Sequence, residues 1–160
     1  MAEWNDLFVA TAGAAAALAG LIFVGVSISL TKILSIASLP NRALLSLILL
    51  LRILIFSVLF LVPGQSINTI GVEVLSIGAV VWIGVLVIDI NIFRNKPHEY
   101  KLQYAFNIAI DQIAVLPYLI AGIVMLAAGN KGIYCMVPAI ILSFIKAVVD
   151  AWVLLIEINR

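Results

Sequence analysis

Five long apolar runs alternate with short polar segments along this chain. A helix that rises about 1.5 Å per residue needs about twenty apolar residues to cross the hydrocarbon core of a bilayer, and each run is about that long or longer. Because lipid offers the backbone no hydrogen bonds, such runs form helices. The pattern predicts an all-α, polytopic transmembrane helix bundle that forms one domain over residues 1–160. The five predicted spans cover residues 7–31, 43–62, 70–93, 102–128 and 133–158.

The fourth apolar run differs from the others because its first half is amphipathic. Gln103, Asn107 and Asp111 recur every four residues and therefore share one helical face. Two interpretations fit this pattern: one kinked span over residues 102–128, or an interfacial helix followed by a shorter span. We favour the continuous span, since residues 113–128 alone are short for a bilayer.

The composition agrees with lipid as the solvent. Hydrophobic residues make up 65% of the 160 residues and charged residues only 11%, and the mean hydropathy is +1.27. A soluble domain carries about 25% charged residues, and a chain of this length cannot enclose so much apolar surface in water. The formal net charge of +1 and the absence of a dense basic cluster predict no nucleic-acid partner.

The residue types that carry most enzyme and metal chemistry are scarce in this chain. Cys135 is the single cysteine and His98 the single histidine, so the sequence predicts no metal site and no cofactor. His98 falls in the polar segment RNKPHEYK, where a solvated loop residue is the first interpretation and a pH sensor the second. No HExxH, GxSxG or phosphate-binding glycine loop occurs, and we predict that the protein is not an enzyme.

Small residues form two rows along the first span. Ala12, Ala16 and Gly20 recur every four residues, and Gly13 with Ala17 forms a second row. In lipid such rows allow helix backbones to approach closely. They therefore predict a helix-packing face, used either against the other helices of this chain or as a subunit interface in a homo-oligomer.

Charged residues inside the spans are the main functional signal. Arg52 lies at the midpoint of the second span, about 15 Å from either end. Because arginine keeps its proton and cannot extend its charge that far, Arg52 is predicted to point into the bundle. In the third span, Glu73 and Asp89 fall on nearly opposite faces, so one polar stripe cannot hold both.

The predicted depths of these charges coincide. Arg52 and Lys146 fall near the midplane, Asp111 and Asp150 about 6–8 Å to one side of it, and Asp89 further toward that side. Lys146 and Asp150 are four residues apart and suit a salt bridge within the helix. The predicted polar core consists of Arg52, Asp111, Lys146, Asp150 and Asp89, with Gln103 and Asn107 as a vestibule leading to Asp111.

Two functions are consistent with a polar core in a membrane bundle. It can line a hydrated route, which predicts a small homo-oligomeric channel or permeation pathway for a proton, ion or small polar solute. It can instead be a dry clamp that fixes helix register, as in an accessory or scaffold subunit that regulates other membrane proteins. Five spans leave no room for the inverted repeat of known alternating-access transporters, so a passive pathway is the leading prediction.

The positive-inside rule predicts the orientation. One side of the predicted topology carries six basic residues and the other side only Lys131, which predicts an outside N-terminus and a cytoplasmic C-terminus. The six are Lys32, Arg42, Arg94, Lys96, Lys101 and Arg160.

The block from Trp4 to Leu30, WNDLFVATAGAAAALAGLIFVGVSISL, resembles the start of a group of small bacterial multi-span inner-membrane proteins. Some members of that group are labelled modulators of a membrane protease. The resemblance implies a multi-pass protein of the bacterial cytoplasmic membrane and assigns no functional residue. It also implies that other membrane proteins are possible partners, beside the lipid bilayer and further copies of this chain.

Overall fold

The structure is a computed structural model that describes residues 2–36, 39–94 and 101–159. After a short 3₁₀ turn at Ala2–Trp4, the described residues form six α-helices and no strand. Their bounds are α1 Asn5–Ile28, α2 Leu30–Ser35, α3 Leu39–Leu61, α4 Ile67–Arg94, α5 Lys101–Ala128 and α6 Lys131–Asn159.

Five of these helices are long and apolar enough to cross a membrane: α1, α3, α4, α5 and α6. The predicted all-α architecture with five spans is therefore confirmed, and the chain is a multi-pass membrane protein. The fourth apolar run is one continuous helix from Lys101 to Ala128, which agrees with the single-span interpretation. Its stretch from Ala105 to Ala128 meets the length and hydropathy of a span.

Several helix ends differ by a few residues from the predicted boundaries, the start of α3 and the end of α1 among them. The second span was predicted to begin at residue 43, but α3 already begins at Leu39 and includes Pro40. Proline is tolerated in the first turn because its missing N–H would have no helical partner there. The first span was predicted to continue to residue 31, but α1 ends at Ile28, and Ser29 (φ −104°, ψ 17°) separates it from α2.

The contacts of the chain divide it into two compact units, which are described separately. Unit 1 comprises Met1–Gly64 and Ser143–Arg160, and unit 2 comprises Gln65–Leu142. Helix α6 therefore contributes residues to both units.

Helices α1 and α3 pack against each other in unit 1. The rings of Phe8 and Phe60 stack with centroids 4.3 Å apart, and the hydroxyl groups of Thr11 and Ser57 lie 2.8 Å apart. Because the contacts move up α1 while they move down α3, the two helices are antiparallel. Ala15, which is fully buried, continues the same face of α1. Aromatic stacking and a hydroxyl pair thus hold the two spans together.

The other end of unit 1 is closed by a small apolar cluster. Leu154 of α6 packs with Ile33 of α2 and with Leu39 and Ala43 of α3, and Val26 of α1 lies against them. Four helices therefore meet at this end of the unit.

Close glycine contacts join α4 and α5 in unit 2. A Cβ atom at Gly71 would lie 3.1 Å from Met125, and one at Gly122 would lie 3.1 Å from the backbone nitrogen of Leu75. The numbering of these contacts also runs in opposite directions, so the pair is an antiparallel hairpin. Since lipid removes the hydrophobic drive between helices, close backbone packing of this kind stabilises the hairpin.

A tight turn follows α5. Gly129 has φ +63° and donates its N–H to the carbonyl of Met125 at 3.0 Å, which ends α5 in the left-handed conformation that favours glycine. A Cβ atom at Gly132 would lie 2.5 Å from the backbone nitrogen of Met125. Only glycine fits at this position without a shift of the backbone.

Candidate functional site

The side chain of Arg52 lies inside unit 1. It is 1% exposed, in the middle of α3, and its neighbours along the helix, Leu49, Ile53 and Phe56, are also buried. Its Nη2 donates a hydrogen bond of 2.7 Å to Oγ of Ser143 on α6. The guanidinium group therefore points into the protein, where a hydroxyl oxygen of another span accepts from it.

Lys146 and Asp150 form a closed ion pair on α6. The Nζ atom lies 2.6 Å from both carboxylate oxygens, and the side chains are 7% and 15% exposed. The spacing of four residues places both groups on one helical face. This is the intrahelical salt bridge that the spacing predicted.

Ser143, Lys146 and Asp150 share one face of α6, and this face turns toward α3. Ser143 contacts Arg52, and one turn after Leu154 the carboxylate of Glu157 lies 3.6 Å from Arg42. Residue numbers in these contacts increase along α6 while they decrease along α3, so the two helices are antiparallel within unit 1. A polar strip thus runs along α6 from the middle of the span to its end.

The two other predicted carboxylates belong to unit 2. Asp89 of α4 and Asp111 of α5 are both 3% exposed. The predicted opposite placement of Glu73 and Asp89 agrees with this burial, since Glu73 is only partly buried and accepts a hydrogen bond from Nε2 of Gln65 at 3.2 Å. Unit 1 therefore contains Arg52, Lys146 and Asp150 of the predicted core, and unit 2 contains Asp89 and Asp111.

The predicted vestibule is described only in part. Asn107 is partly buried on α5. The side chain of Gln103 lies outside the described residues, as do His98 and Lys96. The interpretation of Gln103 and Asn107 as a vestibule stays a prediction.

Sequence reasoning missed two polar contacts between helices. Nε1 of Trp82 donates to Oε1 of Gln112 at 2.7 Å and joins α4 to α5. The signal that could have indicated this contact is a tryptophan well inside a span rather than at a membrane interface, because the buried indole N–H needs an acceptor. The bond from Arg52 to Ser143 was missed because a serine in an apolar run carries no charge signal.

The small-residue rows of α1 do not pack against other helices of the described chain. Gly13, Ala16, Ala17 and Gly20 are exposed, and a Cβ atom at either glycine would meet nothing within 4 Å. Ala12 is partly buried. Packing within the chain uses a different face of α1, through Phe8, Thr11 and Ala15. Of the two alternatives for these rows, packing against the chain's own helices is therefore not observed.

No group of three or more His, Cys, Asp or Glu side chains that could hold a metal ion occurs among the residues that the structure describes. The described site contains ionised and hydroxyl side chains, which can exchange protons, pair with ions or orient water.

No protein-family model, curated protein or solved structure matches this chain.

We predict that breaking the Lys146–Asp150 pair costs far more stability than removing both charges. Lys146→Met leaves a nearly buried carboxylate without this cation, so the free energy of unfolding falls by about 3–5 kcal/mol. The double variant Lys146→Met/Asp150→Leu recovers most of that loss. Unfolding of the purified protein in mild detergent, followed by circular dichroism, measures both.

Glu157→Gln is the matched control, because its side chain is 36% exposed and an ion pair so placed contributes at most about 1 kcal/mol. If Lys146→Met costs no more than Glu157→Gln, the pair on α6 does not stabilise the fold.

Proposed function

We propose that this protein is a small homo-oligomeric membrane channel or permeation pathway for a proton, an ion or a small polar solute. The observation that carries the proposal is the partly accessible ion pair of Lys146 and Asp150 beside Arg52, on the inner faces of two spans. Ionisable groups inside spans are rare, and a substrate, ion or proton route is among the functions that they mark.

These charges are costly inside a bilayer. A lysine, arginine or aspartate at the centre of a span costs about 2.5–3.5 kcal/mol on insertion scales. Pairing returns part of this cost but seldom a surplus over apolar side chains of the same size. A membrane bundle that needed only stability would do as well with leucine at these positions, so a function that uses the charges accounts for their presence.

The ion pair also suggests how conduction is controlled. Asp150 has 15% of its side chain exposed, and Lys146 has 7%. Water or a cation that approaches Asp150 competes with the Lys146 ammonium group for the same two oxygens. We therefore assign Asp150 the role of the ion- or proton-binding group and Lys146 the role of its internal competitor, which keeps the resting site closed.

The homo-oligomer rests on the exposed small-residue face of α1. Five spans are too few to supply an inverted repeat, and a passive route along the bundle or along an oligomer axis needs none. The open positions at Gly13 and Gly20 allow the helix of a second copy to approach closely. The contribution of Asp89 and Asp111 to the same route stays a prediction, based on the bilayer depth that the sequence predicts for them.

An accessory or scaffold subunit is the second candidate, and a specific observation favours it. Both oxygens of Asp150 already lie 2.6 Å from Lys146, as expected of a clamp that fixes helix register. The resemblance of the N-terminal block to bacterial proteins labelled protease modulators points the same way. For either function we propose the bacterial cytoplasmic membrane, with the N-terminus outside and the C-terminus in the cytoplasm.

A flux measurement on the purified protein in liposomes tests the channel. We expect proton or cation flux above that of empty liposomes, and Asp150→Asn to change it at least about fivefold, because one unit charge at about 4 Å is worth about 1 kcal/mol even in water. Asp111→Asn is expected to change the flux while the protein stays folded. Asp6→Asn, at the exposed start of α1, is the matched control.

If liposomes that contain the wild-type protein conduct no better than empty liposomes, the channel proposal is wrong and the scaffold is the remaining candidate. The scaffold also predicts that Arg52→Ala lowers stability without any flux phenotype.

Cross-linking tests the oligomer interface. In a Cys135→Ala background, Ala16→Cys places a thiol on the exposed small-residue face, and Ala15→Cys places one on the buried face toward α3. We expect a short bismaleimide to convert the Ala16→Cys protein in native membranes into a covalent dimer and to leave the Ala15→Cys protein monomeric. A monomeric Ala16→Cys protein would show that this face contacts lipid instead.

A further inference from the structure

An apolar groove opens between α1 and α6 in unit 1. Its volume is about 130 Å³, and its walls include Leu21, Gly25 and Val26 of α1 with Ala151, Leu154 and Leu155 of α6. Leu21 and Leu155 are 70% and 50% exposed and form the rim, whereas Leu154 is 3% exposed and forms the floor. Gly25 has no side chain to fill the groove, and a Cβ atom built there would meet nothing within 4 Å, so the space above it is empty.

The contents of such a groove follow from its lining and its surroundings. An apolar cavity of roughly 150 Å³ stays dry and takes apolar ligands. Both walls belong to membrane-spanning helices, so the exposed rim opens onto acyl chains. A lipid acyl chain is therefore the apolar ligand available to the groove. Inside it, the chain makes dispersion contacts with two helices instead of one.

Two basic residues lie at the end of the groove. Its residues Val26 and Leu154 pack in one cluster with Ile33 of α2 and Ala43 of α3. Lys32 directly precedes Ile33, and Arg42 directly precedes Ala43. Lys32 is exposed, and Arg42 is held 3.6 Å from Glu157, one turn beyond the groove residue Leu154.

The charge at this end favours an anionic headgroup. Lys32 and Arg42 carry two positive charges, and Glu157, the ion-pair partner of Arg42, carries one negative charge, so one positive charge is left among these three side chains. Exposed lysine side chains extend to the headgroup level, and basic residues beside helices there attract anionic lipids. A tail in the groove and a phosphate at its basic end are two parts of one amphiphile.

We propose that this groove is a binding site for an anionic phospholipid, with an acyl chain between α1 and α6 and the headgroup phosphate at Lys32 and Arg42. The site is independent of conduction: it holds whether the protein is a channel or a scaffold. It gives unit 1 a lipid-dependent contact between its first and last spans.

Native mass spectrometry of the full-length protein, released from detergent with added lipid, tests this site. The probes are phosphatidylglycerol and phosphatidylcholine with the same acyl chains. We expect the wild type to retain phosphatidylglycerol preferentially and Lys32→Gln to reduce that preference about fivefold, the contribution of one basic residue near a membrane surface. Lys131→Gln, another exposed lysine, is the matched control and is expected to keep the preference.

Filling the groove gives the second arm of the experiment. Gly25→Leu is expected to abolish the preferential retention, and Gly84→Leu, at an equally open position on α4, to preserve it. If Gly25→Leu does not fold, Ala151→Leu fills the same groove from the α6 side. Equal retention of the two lipids by the wild type, or unchanged retention by the filled variants, would overturn the site. Unchanged retention together with a loss of oligomer mass would assign the groove to a second copy of the chain instead.

Discussion

The need to give every charge inside a span a polar partner away from lipid constrains this fold more than any other interaction. Lys146 and Asp150 are each other's partner within α6, and Arg52 of α3 has a partner on another helix, the hydroxyl group of Ser143. Because all four groups lie on facing sides of α3 and α6, this single requirement sets the rotation of both helices within unit 1. Apolar residues then fill the remaining inward positions, and the outer faces are left to lipid.

The two units use different devices to join their helices. Unit 1 relies on polar and aromatic contacts, such as the Thr11–Ser57 hydroxyl pair. Unit 2 relies on close backbone approach at glycine, with Trp82 and Gln112 as a polar link. Both are substitutes for the hydrophobic effect, which gives helices little reason to associate once they are inside a bilayer. The face of α1 that carries Gly13 and Gly20 also has small residues, as the packing faces of unit 2 do, but no helix among the described residues lies against these two glycines.

Hydropathy and helix length were enough to predict all five spans, because the bilayer requires runs of fixed length and composition. The inward direction of Arg52 was also predictable, since no other placement shields its charge. The partner Ser143 was not, because a hydroxyl group in an apolar run gives no sign of which helix it faces. The predicted start of α3 at residue 43 was four residues late, because Pro40 belongs to the first helical turn, a position that suits proline.

The central claim, that the inner face of α6 lies along a hydrated route, is tested most directly by thiol accessibility. In a Cys135→Ala background, Asp150→Cys places a thiol at the partly exposed position beside Lys146, and Val149→Cys places one at nearly the same depth on an exposed, lipid-facing position. We expect a membrane-impermeant anionic methanethiosulfonate to modify the thiol at position 150, beside the Lys146 ammonium group, and to leave the thiol at position 149 unreacted. Equal inertness of the two thiols in folded protein would contradict the claim.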